Sequence, residues 1–244
     1  MLKQLRLAVL GTALLLGPLF VFTSCDELPF DLPVSESEIA EGLREALKVS
    51  SDTSVNQASQ QDGYYGNLAI RILLPPEVAT AQSYINRIPG GLGTTLTNEL
   101  MLKLNRAAED AATKATPILI DAITNITITD ALSILNGSDS AATIFLRNST
   151  YTSLKTAFKP DIETSLQTVG AQQAYSTLTS NYNTYVVPIP FLNAPSINTD
   201  LADYTTGKAL DGLFHYVKLE EQKIRRDPLH RVSDLLKRVF GQND

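Results

Sequence analysis

The side chains with which this sequence could do acid–base or binding chemistry fall in two stretches. Asn105, Arg106, Glu109 and Asp110 form one; Asp211, Glu220, Glu221 and Arg225 form the other. Carboxylates of this kind can move protons, and an arginine can clamp an anion. Both stretches lie in apolar surroundings, where a charged group must reach water or find a partner. By the 100°-per-residue rule Glu109 lies about 140° from the centre of the apolar stripe of its helix, and Arg106 can reach Asp110 at the i, i+4 spacing. This favours a solvated face with local ion pairs. Buried pairing between helices is the second arrangement, and a catalytic or ligand-binding cluster the third.

Nothing else in the chain completes a reaction centre. His215 and His230 are the only histidines, and neither sits in a metal-ligand spacing, so no metal is expected. A G-x-S-x-G elbow is absent. Gly90-Gly91-Leu92-Gly93-Thr94-Thr95 lacks the lysine and the preceding strand of a phosphate loop, and reads as a turn and helix cap. Carboxylates without a nucleophile, metal site or cofactor loop do not define a reaction, and no cofactor is implied. Tyr64, Tyr65, Tyr182 and Tyr185 stand at loop or helix-end positions, where rings more often seal a core than line a groove.

The elements that must position these residues are helical. Ser35-Glu36-Ser37-Glu38 fits a capping box, and Ile39, Leu43, Ala46 and Leu47 follow at helical spacing, giving a first helix from about Glu36 to Ser50 or further. Ile70 to Leu74 is β-leaning but stopped by Pro75-Pro76, so an extended connector or one minor strand is expected. From Thr94 to about Ile126 runs the longest helical pattern, apolar around much of its circumference and suited to the middle of a bundle; Pro117 is expected to kink or divide it. A short helix begins near Thr129 and closes at Asn136-Gly137, and Ser138-Asp139 can start the next. Helical segments follow over Ser140–Phe158, Pro160–Val169 and Ala171–Tyr185, with a proline-rich loop from Val186 to Asn198. Two helices, Thr199–Arg226 and Pro228–Phe240, end the chain, the second with Asp227 as cap. The whole reads as one all-α, bundle-like domain of about seven to nine helices over residues 36–241.

The amino terminus supplies an address. Residues 1–24 hold Lys3 and Arg6, then an apolar run from Leu7 to Phe22, the layout of a secretory signal peptide. That run makes roughly 24 Å of helix against a hydrocarbon core of roughly 30 Å, short for a permanent span. Phe22-Thr23-Ser24-Cys25 resembles the lipobox of bacterial lipoproteins, with Phe22 where leucine is usual. The resemblance implies a diacylglyceryl group on the Cys25 thiol, cleavage before that residue, and a third acyl chain on the new amino terminus. Residues 25–35, with Asp26, Glu27, Pro29 and Pro33, form a tether reaching at most about 35 Å. The expected location is the cell envelope, on the outer membrane or the periplasmic face of a Gram-negative bacterium.

A second resemblance spans residues 35 to 241. It rests on Asn105-Arg106-Ala107-Ala108-Glu109-Asp110, Thr129-Asp130-Ala131-Leu132 through Asn136-Gly137, Asp200-Leu201-Ala202-Asp203-Tyr204, Lys208-Ala209-Leu210-Asp211-Gly212-Leu213-Phe214 and Glu220-Glu221-Gln222-Lys223-Ile224-Arg225. Together these resemble the bacterial DUF4197 family, a domain of unknown function, which implies no activity. With one cysteine in the chain there is no intramolecular disulfide, and a net charge of −6 argues against nucleic acid as partner. The expected partners are the membrane, through the lipid, and an envelope protein or an apolar ligand such as a lipid. An envelope enzyme using the Glu, Asp and Arg residues is the alternative.

Overall fold

In a computed structural model of the chain, the described residues are 33–241. The segment read as a signal peptide, Cys25 and most of the segment read as a tether lie outside them. Helix α1 spans Glu36–Ala58 and opens on the expected capping box, in which the Ser35 hydroxyl takes the Glu38 N–H and the Glu38 carboxylate takes the Ser35 N–H. It runs a further two turns beyond Ser50. A loop and an extended segment follow to Leu74, and no strand forms among the described residues. Helix α2, Pro76–Thr80, starts with proline at its first position, and a single turn at Gln82–Ile85 continues it.

The long pattern from Thr94 divides, though ahead of Pro117. Helix α3 covers Leu92–Ala111, a 3-10 turn covers Ala112–Lys114, and α4 covers Ala115–Thr124. Pro117 thus occupies the first turn of α4, where its missing N–H had no helical partner to lose. Helix α5, Ile128–Leu135, starts one residue earlier than the sequence suggested, because Thr127 with Asp130 makes a second capping box.

Helix α6 corrects a boundary: Ala141–Thr168 is one continuous helix, with Pro160 inside it. Pro160 and Thr156 are both exposed, so the carbonyl freed by the missing N–H faces water rather than core. Helix α7 follows at Ala171–Tyr185, entered through Gly170 at φ 73°. The proline-rich loop is present as expected, and Phe191 at its tip is 99% exposed. Helix α8, Leu201–Arg226, is capped by the Asp200 carboxylate on the Asp203 N–H. The last expected helix is shorter than read: Asp227 caps only a 3-10 turn at Pro228–His230, and α9, Asp234–Phe240, begins on Ser233.

Helix α8 lies at the centre, packed against α1 on one side and α6 on the other. Helix α1 also meets α4, α5 and α9, while α3 packs on α6 and α7. Leu43, Leu47, Leu100, Leu104, Leu119, Leu146, Phe158, Leu178, Leu210 and Val217 fill one contiguous core. No single helix among the described residues is long and apolar enough to cross a membrane.

Candidate functional site

Three of the acids read from the sequence, Glu109, Glu220 and Glu221, are buried rather than on a solvated face, while Asp110 is exposed. Glu109 is 5% exposed and Glu221 2% exposed, and Asn105 is fully buried. Glu109 lies off the apolar stripe as the helical geometry requires, yet the loop at Asp62–Gly66 covers that side of α3. The Glu109 carboxylate accepts the backbone N–H of Tyr64 and of Tyr65, each at 3.1 Å, through one oxygen. Its other oxygen takes the Arg106 guanidinium at 2.5 Å. Arg106 reaches Asp62 at 2.7 Å with its remaining arm and does not use Asp110 as the i, i+4 spacing suggested. Asp110 instead accepts the Ser165 hydroxyl of α6 at 2.6 Å. Burial works against the Arg106 charge, but the bonds to Glu109 and Asp62 outweigh it and raise its pKa above the ordinary arginine value.

One turn earlier on α3, Asn105 treats the extended segment as a sheet neighbour would. Its amide oxygen accepts the Ile72 N–H and its amide nitrogen donates to the Ile72 carbonyl, both at 2.8 Å, with a further bond to the Met101 carbonyl. A backbone segment with β-leaning residues is thereby satisfied without a strand. Asn105→Leu, close in volume, should cost about 2 kcal/mol by stranding the buried Ile72 groups. Urea unfolding monitored by circular dichroism measures it.

The same segment is sewn to α8. The Tyr64 hydroxyl donates to the Ala209 carbonyl at 2.7 Å, and the Tyr216 hydroxyl donates to the Gly63 carbonyl at 2.8 Å. The Tyr64 ring lies so close to α8 that a Cβ on Gly212 would stand 2.5 Å from its edge. Burial first, then the charges around it, push the Tyr64 hydroxyl far above the usual tyrosine range, so it stays a neutral donor. Tyr64 and Tyr182 are core residues, as their positions suggested.

Glu221 and Arg225 form a second clasp at another place, where α5 gives way to α6. Ser140, the residue before α6, makes no side-chain cap, so the first N–H groups of α6 need an outside acceptor. Glu221 provides it. One carboxylate oxygen takes the Ala142 N–H at 3.0 Å and the other takes the Thr143 N–H at 2.8 Å and its hydroxyl at 2.7 Å. Arg225 bonds Glu221 at 2.8 Å and donates to the carbonyls of Leu135 at 3.1 Å and Ile134 at 3.0 Å, the last of α5. The acid therefore sits at a helix N-terminus and the base at a helix C-terminus, each on the favourable end of the macrodipole. Glu220, one residue away, pairs with Lys223 at 2.5 Å.

Two arginines not singled out from the sequence do the same work. Arg231, 3% exposed, donates to the Ile224 and Arg225 carbonyls at the end of α8. Arg44 donates twice to the Ile126 carbonyl just past α4. Arg231 follows the end of α8 closely enough for its capping role to have been legible. Arg44 reaches across 82 residues, and no local signal marks it.

Asp211 stands apart from both clasps. It pairs with Arg147 of α6 at 2.6 Å on the open face of α8, between two adjoining pockets of about 200 and 220 Å³. The Tyr151 hydroxyl lies 3.5 Å from Asp211. Burial and the Asp211 charge raise its pKa, against the opposing pull of Arg147 and Lys155. His215 lines both pockets and His230 pairs with Asp227 at the surface. Among the described residues no group of three or more His, Cys, Asp or Glu side chains is placed to hold a metal ion.

The predicted set is thus dispersed. Asn105, Arg106 and Glu109 hold the loop and extended segment on α3, Asp110 bonds Ser165 of α6, Glu221 and Arg225 secure the α5–α6 junction beside the Glu220–Lys223 pair, and Asp211 borders a surface groove. A family model described as a protein of unknown function, DUF4197, matches residues 33–241. No curated protein and no solved structure matches the chain.

Proposed function

Because the chain belongs to the DUF4197 family, whose description assigns no activity, its function has to be read from its own residues, and we propose a lipid-anchored envelope module that binds rather than catalyses. The observation that carries the reading is the engagement of the buried acids: Glu109 and Glu221 each spend both oxygens on backbone N–H groups, a hydroxyl or an arginine. A carboxylate so engaged is poorly placed to exchange protons with a substrate. What the helical body offers a partner lies on its surface, where the Asp211 groove and the apolar tip of the proline-rich loop are open.

The anchor rests on the sequence. Phe22-Thr23-Ser24-Cys25 behind an apolar run supports lipidation of Cys25, and two or three acyl chains at about 0.8 kcal/mol per buried methylene suffice for stable attachment. Cys25→Ser should move the protein from the membrane fraction to the soluble fraction of the envelope, with wild-type protein remaining in the membrane pellet. Intact-mass measurement should show the added diacylglyceryl mass only on the wild type. Membrane retention of Cys25→Ser would mean that the apolar leader itself is the anchor and would overturn the lipidation reading.

A further inference from the structure

On the open face of α8, Asp211 and His215 stand one turn apart and separate two adjoining pockets. On one side lie Arg147 and Lys218, with Ile144 and Phe214 giving an apolar floor. On the other lie Arg71 and Lys208 against the end of the extended segment. Four basic side chains therefore line the two pockets around one carboxylate, in a chain whose net charge is −6. Asp211 neutralises only Arg147. Lys208 and Lys218 are exposed and make no ion pair among the described residues.

Both guanidinium groups are held in place before any ligand arrives. Arg147 lies 4.6 Å from the Tyr151 ring centre and 5.6 Å from that of Phe214. Arg71 lies 4.7 Å from the Tyr65 ring centre and donates from its Nε to the Tyr65 carbonyl at 2.5 Å. Stacking of this kind fixes the planar fork while leaving its remaining N–H donors free for an oxyanion. Preorganised donors lose less side-chain freedom on binding than lysines alone would.

We infer that this double pocket binds an anionic ligand carrying a phosphate or similar oxyanion, with Arg71, Lys208, Arg147 and Lys218 as its cation set and Ile144 and Phe214 receiving an attached apolar group. The inference rests on the binding reading and is independent of Cys25. The oxyanion can belong to a lipid headgroup or to a free phosphorylated solute, and the apolar floor distinguishes them by affinity. A groove that is acidic overall would repel such a ligand; this one gathers the positive potential of an otherwise negative molecule.

The test is a calorimetric titration of the full chain in neutral detergent micelles with inorganic phosphate and, separately, with dihexanoyl phosphatidic acid, in wild type, Lys208→Gln, Lys218→Gln and the double variant. Both lysines are exposed, so the fold is unaffected, and Lys114→Gln on the 3-10 turn after α3 is the control. Saturable binding of at least one probe is expected, weakened at least about tenfold in the double variant, as loss of a charge-assisted bond requires, and unchanged in the control. Tighter binding of the lipid probe assigns a headgroup; equal binding assigns a free phosphorylated solute. Absence of saturable binding by both probes, or equal affinity in wild type and double variant, would overturn the site and leave the Cys25 test untouched.

Discussion

Arg225→Ala is expected to lower the stability of the helical domain by about 3–5 kcal/mol, the cost of breaking a buried pair from one side. The variant removes the donor to the Ile134 and Leu135 carbonyls and leaves the Glu221 carboxylate, 2% exposed, without its cation. Glu221 would keep its bonds to α6, so the damage concentrates at the end of α5 and in the contact of the guanidinium with the Phe240 ring, 5.6 Å away. For a domain of this size the loss corresponds to a fall in melting temperature of roughly 6–20 °C. Differential scanning calorimetry measures it. Arg225→Lys should recover little, since an ammonium cannot span two carbonyls and a carboxylate in one plane.

Glu109→Ala is the second large effect, expected at about 3 kcal/mol. Two N–H groups, that of Tyr64 fully buried, lose their acceptor, and each unsatisfied buried donor costs about 1–3 kcal/mol. Arg106 suffers less, because it is partly open to water and retains Asp62. The consequence should be local as well as global: with the loop no longer held on α3, the amide protons of residues 63 to 72 should exchange faster than those of α1 or α8. Hydrogen exchange with mass spectrometry resolves this. Glu109→Gln should fall between wild type and Glu109→Ala, since its amide oxygen can still accept while its charge for Arg106 is gone.

What was legible in the sequence follows the local rules of helices. Ser35 and Glu38 mark a capping box and Asp227 a cap by residue type and spacing, and the prolines between Val186 and Asn198 mark the loop, whereas the Asp200 cap of α8 falls inside the helix read from Thr199. Structure and local signal part where a distant partner overrides the local rule. Pro160 reads as a helix boundary, but its exposed position lets water satisfy the freed carbonyl, and α6 runs through it. Ser138-Asp139 looked like the start of that helix, whereas the N-terminal donors of α6 are met by Glu221 from 78 and 79 residues away. Glu109 looked solvent-facing because helical geometry describes one helix and not the loop laid over it. The cationic groove has no local signature because Arg71, Arg147, Lys208 and Lys218 share no motif and meet only through the packing of α6 and the extended segment on α8.

The charges most suggestive of chemistry in the sequence close helix ends and fix a connector, and the groove with unspent positive charge is assembled from residues of no distinctive pattern. A thermodynamic double-mutant cycle on Glu221→Leu and Arg225→Met, by urea unfolding, tests most directly whether the buried charges serve as structural clasps. Each single variant should lose several kcal/mol, and the double should lose less than their sum by about 1–3 kcal/mol, the signature of coupled partners. Additive losses within about 0.5 kcal/mol, or single variants as stable as wild type, would contradict it.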